Sequence, residues 1–173
     1  MTPVCCSQIL AKSGTQVTSL RIGQICGGLP DGAWATSDWL PILVKSSVAL
    51  GALPSATGFV SWLPMHTVSK TLVEIAFAAD KLPEAINLKR TGNASDGDVQ
   101  AIPAMKLLGF FRTISESDYV IANSGLHEVE SGGLAKFATA KAQSLSQTMR
   151  EVQPIEAQDV NRWVGYWRCC GFL

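Results

Sequence analysis

A few side chains in this sequence have the types and spacing to do chemistry. The stretch VTSLRIGQICGG, residues 17–28, starts as an alternating run and ends in glycines, with Gln24 set between Gly23 and Gly27. Glycine leaves the backbone bare for a ligand to approach, and an amide side chain can pair with a carboxamide. An ordinary strand-ending turn uses the same residues, so the spacing alone supports both readings. Cys26 offers a thiol nucleophile, but no base stands beside it in the sequence. His66 lies near a helix start and reads either as a general base or as a half-buried or surface histidine. Trp34, Trp39 and Trp62 either line a pocket or pack, and packing is the commoner role for such rings. No G-x-S-x-G elbow supports a Ser-His-Asp hydrolase.

The five cysteines, Cys5, Cys6, Cys26, Cys169 and Cys170, are odd in number and include two vicinal pairs. Together with His66 and His127 they do not make the paired clusters that zinc needs, so no metal site is expected. They are read as free, reduced thiols. A chain of 173 residues suffices for one domain with a core, and 47% apolar with 16% charged residues is a globular composition. Lys+Arg and Asp+Glu are both 14, so net charge gives no ground for nucleic acid or an anionic membrane as partner. The longest apolar window, ILVKSSVALGALP at 42–54, is too short and too polar to span a bilayer. The opening MTPVCCSQILAK lacks the basic and apolar regions of a secretory leader, which predicts a cytoplasmic chain. Low charge combined with five tryptophans predicts apolar surface that a partner domain or subunit covers.

These residues need elements to position them. Residues 4–13 read as a short helix stopped by Gly14, and 17–25 as the opening strand. GGLPDG at 27–32 is a turn. A helix follows, capped by Thr36 or Ser37 with Asp38 in its first turn, running to about Ala49 and stopped by Gly51. FVSWLP at 59–64 is a short strand, and 66–82 is a helix with Val68, Leu72, Ile75 and Ala79 on one face. The polar 83–101 region reads mostly as loop, with helix returning at 102–114 and in parts of 134–149. Val160, Trp163, Val164 and Trp167 share the apolar face of a C-terminal helix closed by Gly171. Trp163 and Trp167 are read as core or domain-interface anchors.

TSLRIGQICGG, then GAWATSDWLPILVKSSVALGALP, then SWLP and a helix, in that order, resemble the thioester reductase domain of fungal adenylate-forming reductases. These are NRPS-like or carboxylic acid reductases. The tail GGLAKFATAKAQSLSQTMREVQPIEAQDVNRWVGYWRCCGFL is similar to the end of such chains. The likeness covers about 16–80 and 102–173. It implies an α/β fold, the C-terminal portion of a Rossmann-type extended short-chain dehydrogenase/reductase, mostly helical with a few strands. Residues 1–173 then form a single partial domain. A late Rossmann strand and substrate-pocket segment lie at 16–80, and a helical C-terminal segment lies at 102–173. The likeness further implies NADP as cofactor of the complete domain, with a phosphopantetheine carrier domain and an adenylation domain as partners. Gly23, Gln24 and Ile25 would face the nicotinamide, and Trp34 and Trp62 are the candidate substrate-binding residues.

The sequence departs from that family in several places. The Gly-rich nucleotide loop is absent. So is the Tyr-x-x-x-Lys pair, which in the family sits on the helix before LRIGQ. Here TPVCCSQILAKSG holds Lys12 without a tyrosine four residues earlier, and Gln8 and Ile9 stand there instead. Tyr119 and Tyr166 lie in the wrong region, so no catalytic residue is assigned. Met65, His66 and Thr67 replace an N-capping Asp, with Thr67 as a weaker cap. Residues 83–101 keep only INL of a pocket strand, which is expected to be shortened or lost. The expected function is the substrate-binding portion of an NAD(P)H-dependent reductase, inactive alone, on a truncated chain or a gene model of the C-terminal half. The alternative is a degenerate, non-catalytic protein-docking module.

Overall fold

The computed structural model describes residues 17–52, 60–79, 81–90 and 137–173, with isolated positions at 9, 12–14 and between 113 and 123. The described elements are β1 (Ser19–Ile22), β2 (Ile25–Cys26), α1 (Trp39–Leu50), β3 (Leu63–Pro64), α2 (Met65–Ala76), β4 (Ala85–Leu88), α3 (Ala140–Leu145), α4 (Gln147–Glu151) and α5 (Ala157–Cys169). The expected helix at 102–114 and most of the one at 4–13 lie outside the described residues.

The opening strand is one extended segment with two partners. β1 pairs in parallel with β4, Ser19 opposite Ala85 and Ile22 opposite Leu88. β2 pairs in parallel with β3, Ile25 opposite Leu63. The Gly23 N–H donates to the Leu88 carbonyl at 2.9 Å and prolongs the first ladder. The Leu63 N–H donates to the Gln24 carbonyl at 2.9 Å and begins the second. Parallel strands need long crossovers, and α1 and α2 supply them between β2, β3 and β4.

The strand expected to be shortened or lost within 83–101 is present as the four-residue β4. Its four residues pair fully with β1, and Ile86 and Leu88 are completely buried. Two inward aliphatic side chains and a full ladder suffice to hold a strand that its polar flanks obscure. The α1 cap also moves by one or two residues. Asp38 is the N-cap, its Oδ1 accepting the Trp39 N–H at 2.7 Å, and Gly51 closes the helix at φ 63°. α2 ends at Ala76, leaving Ala79 outside it, with Val68 and Ile75 buried. Thr67 is buried within the helix and does not cap it; Pro64 stands at that position.

The core has two parts. Leu63, Val68, Ile75, Ile86, Leu88, Ala142 and Met149 form an aliphatic cluster between the short strands, α2, α3 and α4. Cys26, Trp34, Leu40, Leu43, Trp163 and Trp167 form a second, aromatic cluster, with Trp39, Trp62 and Val164 packed on it. No helix among the described residues is long and apolar enough to cross a membrane.

A single carboxylate clips α2 to the break between α3 and α4. Ser146 Oγ donates to Glu74 Oε2 at 2.5 Å, Thr148 Oγ1 to Oε1 at 2.6 Å, and the Thr148 N–H to Oε2 at 3.1 Å. Ser146 Oγ in turn caps α4 by accepting the Met149 N–H at 3.0 Å. The Ser146 hydroxyl, then the Thr148 donors, hold the Glu74 pKa down to about 2 from its ordinary 4.5. A carboxylate with a depressed folded pKa stabilises the fold above its unfolded pKa and loses that contribution as pH falls. Melting temperatures measured from about pH 6 to pH 2 should therefore fall between 4.5 and 2. Glu74→Gln should flatten that acid limb, and an unchanged limb in the variant would refute the clip.

Candidate functional site

A cavity of about 350 Å³ opens where the extended segment changes partner. Gly23, Gln24, Ile25, Cys26, Ala33, Trp34, Ala35, Asp38 and Met65 line it. In α/β sheets the crevice beyond the carboxyl ends of parallel strands is where ligands bind. Asp38 organises the polar side of this wall. Its Oδ2 accepts the Trp34 indole N–H at 2.9 Å and a Gln24 amide hydrogen at 3.1 Å. The second Gln24 amide hydrogen goes to the Ile25 carbonyl at 2.8 Å, and Gln24 Oε1 accepts the Trp39 indole N–H at 2.9 Å.

The five tryptophans form one stack of mostly edge-on contacts. Trp34 meets Trp163 at 5.0 Å between centroids and 83° between planes. Trp62 meets Trp34 at 5.8 Å and 81°, and Trp39 at 5.8 Å and 85°. Such geometry suits the ring quadrupoles. Buried indoles also need acceptors, and the chain provides them. Trp163 donates to the Gly27 carbonyl at 2.9 Å and Trp167 to the Trp34 carbonyl at 3.3 Å. α5 therefore grips the loop that carries the cavity wall. Gly27 is required there, since a Cβ would sit 2.4 Å from the Gly32 carbonyl oxygen and 2.5 Å from Trp163 Cδ1.

Gly23, Gln24, Ile25 and Trp34 thus come together on one wall, while Trp62 lies behind it in the aromatic stack. Gly23 also has a packing reason to be glycine: a Cβ would lie 3.0 Å from Lys89 Cγ. Both Gln24 amide hydrogens are engaged inside the wall and its backbone carbonyl in the second ladder, leaving a lone pair on Oε1 to face a ligand. Sequence reasoning placed Asp38 in a helix turn and missed its part in the wall. The pattern TSD before WLPILV signalled an acidic cap, but nothing in the sequence signalled its two side-chain donors.

Cys26 is buried, and that burial, with Asp159 adding to it, pushes its thiol up to about 12. It supplies no thiolate nucleophile. His66 does not line the cavity. Its Nδ1 accepts the Leu29 N–H at 3.0 Å, so that nitrogen is bare and the ring neutral. Desolvation lowers the His66 pKa, opposed by Asp159 and assisted by Arg162. Tyr166 pairs with Cys170 and not with a lysine. Among the described residues no cluster of three His, Cys, Asp or Glu is arranged to hold a metal ion.

No family model matches the chain. It is 42% identical to adenylate-forming reductase Nps11 of Serpula lacrymans, over 97% of this chain and 19% of that protein. It is 36% identical to adenylate-forming reductase Nps9 of the same fungus, over 96% of this chain and 19% of that protein. It is 27% identical to adenylate-forming reductase Nps10 of Heterobasidion annosum, over 95% and 19%. The chain spans about a fifth of the length of these relatives. The Nps11 match runs over 210 aligned positions against 173 residues here, so segments of the relative have no counterpart in this chain. The fold is similar to that of the terminal R domain from the myxalamid PKS-NRPS biosynthetic pathway, with TM-score 0.61 and 19% identity. That likeness covers 96% of this chain and 47% of the R domain, and shows the expected Rossmann-type fold.

Asp38→Ala removes the α1 cap and strands the Trp34 indole and Gln24 amide donors. A lost cap plus an unsatisfied donor should cost about 2–4 kcal/mol of stability and red-shift the tryptophan emission. Asp38→Asn, which keeps an acceptor oxygen, should cost less. Equal denaturant midpoints for Asp38→Ala and the parent would show that the carboxylate does not hold the wall. Gly27→Ala should cost about 1–3 kcal/mol by overpacking against Trp163, read from the same unfolding curves.

Proposed function

We propose that the chain corresponds to the C-terminal part of the reductase domain of a fungal adenylate-forming reductase and forms the substrate-facing wall of an NAD(P)H-dependent reductase, a reading its likeness to Nps11, Nps9 and the myxalamid R domain supports. The reaction is reduction of a carrier-bound thioester to aldehyde or alcohol. The observation that carries this reading is the single wall formed by Gly23, Gln24, Ile25 and Trp34 where the strand changes partner. Gly23 to Ile25 would hold the nicotinamide end of NAD(P)H, with small Ala33 and Ala35 leaving room for a flat ring. When bound, the cofactor supplies hydride to the thioester carbonyl. The chain's own residues position and shield: Asp38 and Gln24 fix the wall, and the tryptophan stack keeps water from its rear.

The fit is partial in an informative way. No Gly-rich loop for the dinucleotide phosphates lies among the described residues, and none carries a Tyr-Lys pair on the cavity. Proton delivery to the developing alkoxide and binding of the dinucleotide pyrophosphate therefore come from elsewhere in a complete domain, and the chain is inactive alone. A phosphopantetheine carrier and an adenylation domain are the partners in that setting. A cytoplasmic location, where exposed Cys169 and Cys170 stay reduced, accompanies this reading.

The isolated chain should show no NADPH binding in a fluorescence titration. Joined to the upstream part of the Nps11 reductase domain, it should restore NADPH oxidation with an acyl-pantetheine thioester. Micromolar NADPH affinity of the chain alone would contradict the missing Gly-rich loop. A well-folded joined protein without turnover would favour the non-catalytic docking module.

A further inference from the structure

Arg90 lies two residues past the last residue of β4 and is only 6% exposed. Its Nη2 donates to the Val60 carbonyl. Its Nε has no acceptor among the described residues. A guanidinium does not shed its charge within the range of protein chemistry, and burying one is costly unless an anion meets it. The titratable neighbour acting on it is the Cys26 thiol, which is protonated and so does not neutralise it. The acidic group of the Arg162–Asp159 ion pair is engaged with α5's own arginine. Burial is the main influence on Arg90 and lowers its pKa, as expected for a cation with no counter-charge among the described residues.

The position of this cation ties it to the cavity. Cys26, its electrostatic neighbour, is a cavity-lining residue. Lys89, the preceding residue, lays its stem against Gly23 on the same wall. We propose that Arg90 is the seat of an oxyanion site behind the Gly23–Cys26 wall, where Nε donates to an oxygen of a phosphate group. This goes beyond the reductase reading and stands without it, because a charge buried at this depth demands a counter-charge in any function.

The test is the melting temperature of the 173-residue chain against inorganic phosphate, with chloride holding ionic strength constant. A saturable rise is expected, of about 5–10 °C at a hundredfold excess over the dissociation constant. Arg90→Met should abolish the response and melt higher than the parent without phosphate, since it removes an uncompensated buried charge. Arg90→Lys should keep a weaker response. Acetate, 4′-phosphopantetheine and adenosine 2′,5′-bisphosphate are parallel arms. Tighter binding of 4′-phosphopantetheine assigns the site to a carrier's prosthetic arm, and tighter binding of the bisphosphate assigns it to a nucleotide. A response to inorganic phosphate with neither of these leaves the site standing and counts only against the reductase reading. A response to acetate alone, or to no probe, overturns the phosphate site. So does an undiminished response in Arg90→Met, or an Arg90→Met chain that melts lower or fails to fold, because that shows an internal partner for the guanidinium.

Discussion

One carboxylate gathers three parts of the chain that are separate in sequence. Asp38 accepts from the first amide of α1, from the Trp34 indole and from the Gln24 amide. The donors belong to three structures: a helix, the loop behind the glycines, and the point where the strand changes partner. An ionised acceptor makes stronger bonds than a neutral one, and its local dielectric strengthens them further. Without it only the Trp39 indole bond to Gln24 Oε1 would join the helix to the strand, and Trp34 would lose its indole acceptor. With it, Trp34 is fixed, and the remaining tryptophans have a fixed edge to stack on.

The two halves of the core divide the labour by chemistry. The aliphatic half fills space between short strands and small helices, where Leu, Ile and Val have few orientation demands. The aromatic half must satisfy indole N–H groups, so Trp34, Trp39, Trp163 and Trp167 each recruit a specific acceptor and gain direction as well as area. The cavity lies on the aromatic half, where orientation is most constrained.

Much of this was legible in the sequence, for identifiable reasons. The C-terminal helix showed in the spacing of Trp163 and Trp167, both buried, because an amphipathic helix writes its buried face at that period. Gly51 and Gly171 marked helix ends because both take positive φ. What stayed hidden depends on partners distant in the chain. β4 is four residues in a polar setting and is held by β1, more than 60 residues away. The Asp38 hub is invisible because residues 24, 34 and 38 meet only after the strand, loop and helix fold together. Glu74 likewise reads as an ordinary helix-surface acid until Ser146 and Thr148 arrive from far along the chain.

The change of strand partner at Gly23–Gln24 also bears on how the chain can vary in length. β1 is locked in register by β4, and β2 by β3, with no slack residue between the two ladders. One residue added or removed here would turn Ile25 and Cys26 to the opposite faces and take both out of their packing on the core and the cavity wall. The segment therefore acts as a fixed ruler between the two halves of the core. Changes in length are therefore tolerated in the connections and not within the eight residues from Ser19 to Cys26.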